Sequence, residues 1–498
     1  MILKDSKNTY KKGLKGIGVF GGLQAYRILL SVITAKVSAI FLGPAGSGIY
    51  GLLTSVLTTT ETLVGCGLGT SAVKDIAKAK NDENGENVAK IYCTVRFLVW
   101  ITGTIGSVLI FIFAEKLSFL ILSSDNYAIW LRILSVSVLL NQLTTGQGVL
   151  LTGYQKYKLI TKNGLLAGLC GAIITVICYS LWNIKGIVPV ILLSALSKYI
   201  ISTIYVKKIK LPRCIINTGD IVKIGKPIFI LGISIGISSA FTSLSGFGIR
   251  TVISNMSDIA TVGLFTSSFA LVNTYFGLVF TSLQGDYYPR LSEVGENHNE
   301  YKKVMLDEIE LLILLVVPLV ALLIVFAKIV LIVFYSSKFV DANILIGWSA
   351  FSMLVRVPGW AMSTGLISKG CTSLYLKNQL SFIVYQFAFN VLGFLLGGLT
   401  GIGITYTISE LIYFVQNYWI QNRNFGVTLS YQLVKLLLVS FGSILTLCLI
   451  VTLLPAIYHY TLGSVICLAV IIYSLRELNS RIAIIDFIKS KLQKTGGH

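Results

Sequence analysis

Among the ionisable side chains inside stretches that are otherwise apolar are Arg27, Lys36, Arg250 and Arg356 on the basic side and Glu61 and Glu410 on the acidic. Three of them fall in Tyr26–Ser71, two hydrophobic spans joined by a Leu-Gly-Pro-Ala-Gly turn. A charge at the centre of a membrane helix costs ~2.5–3.5 kcal/mol, so three together cost on the order of 8–10 kcal/mol, comparable to the net stability of a whole domain. A chain that keeps such charges turns them away from lipid and toward a polar cavity. Because cations exceed acids, a cavity lined by Arg27, Lys36, Arg250 and Arg356 attracts an anion. Pairing of Arg27 or Lys36 with Glu61 would staple two helices instead, but it cannot account for all four cations. Lys36 follows Arg27 by nine residues, which at ~100° per residue puts it on the opposite face of a straight helix. Tyr50, Thr54, Thr58 and Glu61 share one helical face that would line a pathway. There Glu61 would serve either as a proton- or sodium-coupling group or as a structural counter-ion.

The elements that must hold these charges are membrane helices. The chain has 498 residues, of which 54% are hydrophobic and 12% charged, against ~25% charged in soluble domains; its mean hydropathy is +0.80. Apolar runs of about 20 residues recur, whereas barrel strands would alternate polar and apolar positions. Fourteen spans are expected, at 16–41, 46–70, 91–113, 127–151, 163–182, 186–205, 227–252, 259–284, 309–334, 342–367, 379–398, 400–421, 431–454 and 459–475. The first fifteen residues are polar and basic, and the span behind them is too long and too charged for a signal-peptide core, so it is expected to be a retained first helix. The fold class is therefore an all-α polytopic membrane protein.

Lys and Arg sort by side. The N-terminal tail, every second connection and the C-terminal tail hold 29 of the 41, and the intervening connections hold only Lys116, Lys185 and Lys338. That asymmetry predicts cytoplasmic termini. The outer connections are too short for a catalytic domain. The chain also repeats itself at an offset of 215: Gly48-Ile49-Tyr50 is matched by Gly263-Leu264-Phe265, and Gly67–Ala79 falls on Ser282–Val294. Two six-helix lobes follow, 1–210 and 211–425, related by a pseudo-two-fold axis along the membrane normal with a cavity between them. An extra helix pair at 426–475 and a cytoplasmic amphipathic tail at 476–498 complete the expected organisation. Leu475, Leu478, Ile482, Ile485, Ile488 and Leu492 give the tail its apolar stripe. The seventh span, GISIGISSAFTSLSGFGIR, is rich in small residues that permit either sliding or tight static packing.

Several function classes lack their residues. There is no Walker A sequence, and the glycine runs Gly65–Gly69 and Gly397–Gly403 lack the strand–turn–helix setting of a nucleotide site. The eight cysteines form no CxxC pair, and the three histidines, His298, His459 and His498, are too scattered for a metal or acid–base cluster. No metal, cofactor or catalytic residue is expected. The net charge of +20 collects in alternate loops, which argues for a membrane surface rather than nucleic acid.

Five stretches in order, FLGPAGSGIYGL (41–52), GLGTSAVKDIAKA (67–79), YYPRLSEV (287–294), YSSKF (335–339) and LISKGCTSLYLKN (366–378), resemble the Wzx-type polysaccharide flippases of the multidrug/oligosaccharidyl-lipid/polysaccharide superfamily. Family members resemble this chain in carrying basic residues where Arg27, Lys36, Arg250 and Arg356 stand; Glu61 matches no family position. The resemblance implies a lipid-linked oligosaccharide substrate, an O-antigen or capsular repeat unit on undecaprenyl diphosphate. That unit would be moved by alternating access to the periplasmic leaflet of the bacterial inner membrane, in company with a polysaccharide polymerase and a chain-length regulator. A lipid II flippase carries a like-charged substrate. A MATE-like drug exporter handles cations, for which the buried charge has the wrong sign. A polyprenyl-linked glycosyltransferase or polymerase should show a large outer loop or paired catalytic acids, and neither is present.

Overall fold

The computed structural model describes residues 2–80, 85–209, 211–212, 218–295 and 297–482. The side chains of residues 2–25 and of Arg27 lie outside this description, as does the tail beyond Ile482, which holds most of the amphipathic helix expected at 476–498. The helices are α1 (Ile2–Gly65), α2 (Leu68–Ala79), α3 (Glu86–Leu122), α4 (Ala128–Gly153), α5 (Tyr157–Trp182), α6 (Ile187–Val206) and α7 (Thr218–Met256). They continue as α8 (Ile259–Glu293), α9 (His298–Val325), α10 (Ala327–Phe334), α11 (Asn343–Ser368), α12 (Thr372–Phe425), α13 (Tyr431–Leu453) and α14 (Ala456–Ile482). The chain is an all-α, multi-pass membrane protein.

Eleven stretches among the described residues are long and apolar enough to cross a bilayer. Three of them are two spans each. Tyr157–Val206 would reach ~75 Å as one helix, against a hydrocarbon core of ~30 Å; it breaks at Asn183, where φ is +48°. The α1 helix breaks at Gly43 (φ 62°, ψ −172°), a backbone region open in practice to glycine alone, and Pro44 restarts the helix where its missing N–H costs nothing. The α12 helix breaks at Gly397 and Gly398. With these three divisions the count is fourteen spans, as the apolar runs predict.

Contacts gather the chain into two compact units. The N-terminal unit comprises Gly22–Thr266 with Phe334–Lys338; the C-terminal unit comprises Ser267–Val333, Phe339–His498 and the first 21 residues. In the N-terminal unit the 12-residue α2, absent from the expected spans, carries Lys74, Asp75 and Lys78 outward and buries Leu68, Ala72 and Ile76. These pack with Val88, Tyr92, Val95 and Val99 of α3, Val149 and Leu150 of α4 and Ile228 of α7. The small residues of the seventh span serve tight packing: a Cβ on Gly232 would lie 2.4 Å from the Cys66 carbonyl oxygen, and one on Gly236 would lie 2.8 Å from the Gly67 nitrogen.

The repeated Gly-Ile-Tyr and Gly-Leu-Phe motifs meet in this unit. A Cβ on Gly48 would fall 1.9 Å from the Ile259 carbonyl oxygen, and one on Gly263 would fall 1.9 Å from that of Pro44. The second leg of α1 and the start of α8 thus cross backbone to backbone. The two glycines recur at equivalent positions because each makes room for the other's helix.

In the C-terminal unit α9 is the central element, packed by α11, α13 and α14. The Arg290 guanidinium of α8 reaches the buried Glu308 carboxylate of α9 at 2.7 Å and Asp286 at 2.8 Å. The Ser474 hydroxyl donates to the Leu314 carbonyl at 2.8 Å, which ties α14 to α9. The two legs of α12 touch near their break, where a Cβ on Gly401 would sit 1.9 Å from the Gly393 carbonyl oxygen. The α11 helix stays helical through Pro358-Gly359, and Gly359 admits the Tyr413 ring, 3.0 Å from where its Cβ would be.

Gly48→Ala should therefore destabilise the protein by about 1–3 kcal/mol through backbone displacement. Gly148→Ala, which meets open space on α4, should leave stability unchanged or raise it by a few tenths of a kcal/mol through helix propensity. Thermal unfolding of the two variants in detergent compares them directly; equal midpoints would remove the helix-crossing role given to Gly48.

Candidate functional site: buried charges of the two units

The N-terminal unit holds a cavity of about 290 Å³ between the second leg of α1, the start of α2, α4 and α7. Its walls carry Glu61, Thr62, Asn141, Gln142, Thr145 and Ser239 among small residues. Asn141 Nδ2 donates to Glu61 Oε1 at 2.8 Å, and Gln142 Nε2 donates to the Glu61 backbone carbonyl at 2.6 Å. Both donors come from α4, which holds the carboxylate at the cavity wall. Lys198 of α6 is the cation whose charge acts on Glu61, although its place near a span end suggests only snorkelling. One carboxylate, two amides and four hydroxyls, counting Thr70, with no cation in the wall, suit a monovalent cation, a proton or sugar hydroxyls rather than a phosphate. Tyr50, Thr54, Thr58 and Glu61 do share a face: Tyr50 and Thr58 are exposed, Thr54 and Glu61 half-buried. The hydroxyls of Thr54, Thr58 and Thr62 donate to carbonyls four residues back, which satisfies them within the helix.

Arg250, near the end of α7, sits against the first residues of α8. Its Nη1 donates to the Gly246 carbonyl at 2.7 Å and its Nε to the Thr266 hydroxyl at 3.3 Å, and its guanidinium carbon lies 5.7 Å from the centre of the Phe265 ring. Among the described residues it makes no ion pair, so a full positive charge is held by neutral partners. Lys36, on the first leg of α1, is half-buried and has partners of its own. Arg27 is helical in its backbone, and its side chain lies outside the described residues.

The C-terminal unit places Arg356 of α11 beside Glu410 on the second leg of α12, with Nε 3.9 Å from Oε1. The sequence treats both as buried charges without joining them. The Arg356 side chain is 35% exposed and that of Glu410 not at all. Glu410 belongs to a polar line on α12 that runs through Tyr406, Tyr413, Asn417 and Gln421. Tyr413 Oη donates to Gln379 Oε1 and accepts from the Ser363 hydroxyl, each at 2.9 Å. Asn378 Nδ2 donates to Asn417 Oδ1 at 3.0 Å, and Gln421 Nε2 to the Met362 carbonyl at 2.7 Å. Glu410 is buried with neither of its carboxylate oxygens receiving a hydrogen bond.

The structure therefore brings Glu61 to Asn141 and Arg356 to Glu410, and it leaves Arg250 with neutral partners. Asn141, Gln142 and the partnership of Glu410 escape the sequence reading. The last carried a signal, since residues 406, 410, 413, 417 and 421 recur every three or four positions as a polar stripe through an apolar span.

Fourteen spans with buried charges in both units define an all-α, multi-pass membrane fold. The lipid II flippase MurJ in an inward closed conformation superposes with a TM-score of 0.70 at 13% identity, covering 94% of this chain and 100% of that one. An inward-facing multidrug resistance MATE family transporter of the MOP superfamily gives a TM-score of 0.68 at 17% identity, over 83% and 96% of the two chains. At these identities the likeness is one of fold. The chain belongs to the polysaccharide biosynthesis protein family, whose profile matches residues 14–294. It is also 26% identical over 202 residues to the capsular polysaccharide biosynthesis protein CapF of Staphylococcus aureus, across 40% of this chain and 51% of that protein. The chain thus matches about half the length of this curated relative.

The hydrogen bond on Glu61 generates a test. Asn141→Leu removes the donor to a half-buried carboxylate and should cost about 1–3 kcal/mol of stability. Glu61→Gln combined with Asn141→Leu should recover part of that loss, because the stranded charge is gone. Denaturant unfolding of the single and double variants checks the coupling; strict additivity would mean that the two side chains act independently.

Proposed function

We propose that this protein is a flippase for a lipid-linked oligosaccharide. It carries an O-antigen or capsular repeat unit on undecaprenyl diphosphate from the cytoplasmic to the outer leaflet of the bacterial plasma membrane. The observation that carries this reading is Arg250, a guanidinium inside a span whose hydrogen-bond partners are a carbonyl and a hydroxyl. A diphosphate is the part of such a substrate that most needs a partner in hydrocarbon, and a guanidinium fork binds phosphate oxygens two at a time. Arg27, Lys36 and Arg356 are the further cations assigned to the substrate.

Membership of the polysaccharide biosynthesis family supports the oligosaccharide, and the MOP-type fold supports alternating access. The charge asymmetry of the loops supports cytoplasmic termini. The Glu61 cavity is assigned to the coupling ion, a proton or sodium. Export of this kind hands its product to a polysaccharide polymerase and a chain-length regulator, which are the proposed partners. A lipid II flippase would use the same diphosphate chemistry. A drug exporter of organic cations is disfavoured by the sign of the buried charge, and no catalytic role is assigned to any residue.

Arg250→Ala should lower surface polysaccharide in a strain lacking its own copy by about tenfold or more, the worth of one charge-assisted hydrogen bond of ~1.5–3 kcal/mol. Arg250→Lys should keep part of the activity, since the charge remains and the fork is lost. Immunoblots of membranes control for protein level. Unchanged polysaccharide in Arg250→Ala would overturn the diphosphate role, and a lipid II export defect with normal surface polysaccharide would move the assignment to cell-wall precursor.

A further inference from the structure

Inside the C-terminal unit one pair of side chains stands apart from the other ion pairs among the described residues. Glu410 is wholly buried, and neither carboxylate oxygen receives a hydrogen bond. Its counter-charge, Arg356, stands 3.9 Å away, beyond hydrogen-bond range, and the guanidinium donates no hydrogen bond among the described residues. The contrast with the unit's other buried ion pair is direct, for Arg290 grips Glu308 at 2.7 Å. Good buried pairs gain their stability from short charge-assisted hydrogen bonds and from further donors on the carboxylate. Arg356 and Glu410 have neither. They share charge without sharing a proton-locking bond.

Every other group around the carboxylate is neutral. Tyr385 of the first leg of α12 and Tyr406 and Tyr413 of the second lie within electrostatic range of Glu410, and Tyr375 faces Arg356. Among the described residues Arg356 is the one charge acting on Glu410. The amide nitrogen of Gln386 is also buried without an acceptor. The pair is asymmetric in access as well, since Arg356 is 35% exposed and Glu410 fully enclosed.

We propose that Glu410 is a proton-operated gate on Arg356. With Glu410 ionised, the charge of Arg356 is cancelled inside the unit. When a proton from the aqueous phase adds to a Glu410 oxygen, the pair gains one positive charge, and Arg356 is released to bind a diphosphate. Loss of that proton to water restores the internal pair and expels the anion. No hydrogen bond of the pair has to break in either direction, and one proton is taken up for each diphosphate engaged. The proposal deepens the flippase reading and rests on it for the identity of the anion. It assigns to Glu410 a coupling role separate from the Glu61 cavity.

The test uses the full chain in nanodiscs, with farnesyl diphosphate as the probe. In the wild type, apparent affinity should rise on the order of tenfold as pH falls from about 8 to about 6, because the competent fraction grows. Glu410→Gln should bind at the tight, acid-like level throughout, and its residual slope reports the titration of the probe itself. Arg356→Gln should bind weakly at every pH. A Glu410→Gln variant that keeps the full pH dependence of the wild type would overturn the gate. So would one that loses thermal stability while its binding curve stays unchanged, which marks the pair as structural only.

A substrate-free measurement separates this proposal from the reading beneath it. Infrared difference spectra of the wild type should show a protonated carboxyl band that titrates, that is missing in Glu410→Gln and that shifts in Arg356→Gln. A titrating band without diphosphate binding in any variant would sink the substrate assignment and leave the proton site standing. No titrating band between about pH 5 and about pH 9, a window spanning carboxyl groups displaced by burial, would sink the gate.

Discussion

Hydrocarbon cannot solvate a polar group, and that constraint shapes every part of this molecule. It makes helices the only economical backbone, since each peptide group is satisfied within its own segment. It then acts on side chains. Thr54, Thr58, Thr62, Thr104 and Thr144 each return a hydroxyl to the carbonyl four residues behind. Asn378 donates to Asn417 across the two legs of α12. Against that background the exceptions gain meaning. Arg250 keeps a whole charge on two neutral acceptors, and Glu410 keeps one with no donor at all. Selection for stability would have removed both, which is why they carry the functional argument.

The two units treat their acids differently. In the N-terminal unit Glu61 is held by amides on α4, at the wall of an open cavity where its charge is steadied by a hydrogen bond. In the C-terminal unit Glu410 is sealed from solvent and steadied by charge alone. An amide donor favours a carboxylate's charge through one fixed hydrogen bond, whereas a bare counter-ion makes the charge on one partner the condition for the charge on the other. The same residue type, placed in two environments, therefore does two kinds of work.

The fold was almost entirely legible in the sequence, because bilayer thickness fixes span length and the loops separate by charge. Even the repeat at an offset of 215 pointed to a real contact, Gly48 against the start of α8 and Gly263 against Pro44. The site was legible only in part. Residue types alone exposed Arg27, Lys36, Arg250, Arg356 and Glu61, since any charge in an apolar run stands out. Partners were not legible. Arg356 and Glu410 are 54 positions apart, and the helical period says which face a residue occupies but not which neighbouring helix will face it. Asn141 and Gln142 were hidden for a second reason: uncharged amides are common in spans and attract no notice until a carboxylate is seen beside them.

The hairpin of α12 bears on how such a protein is made. Its legs are joined by two glycines with no intervening loop and are already in backbone contact at Gly393 and Gly401. Its amides find one another between the legs, Asn378 with Asn417 and Tyr385 with Gln416 at 3.2 Å. A hairpin that carries its polar groups paired can pass from the insertion machinery into lipid as a single piece, with no wait for later spans. Glu410 is not paired between the legs, and its partner Arg356 lies in the span synthesised just before. Order of synthesis thus matches order of need: the cation is in the membrane before the acid that requires it arrives.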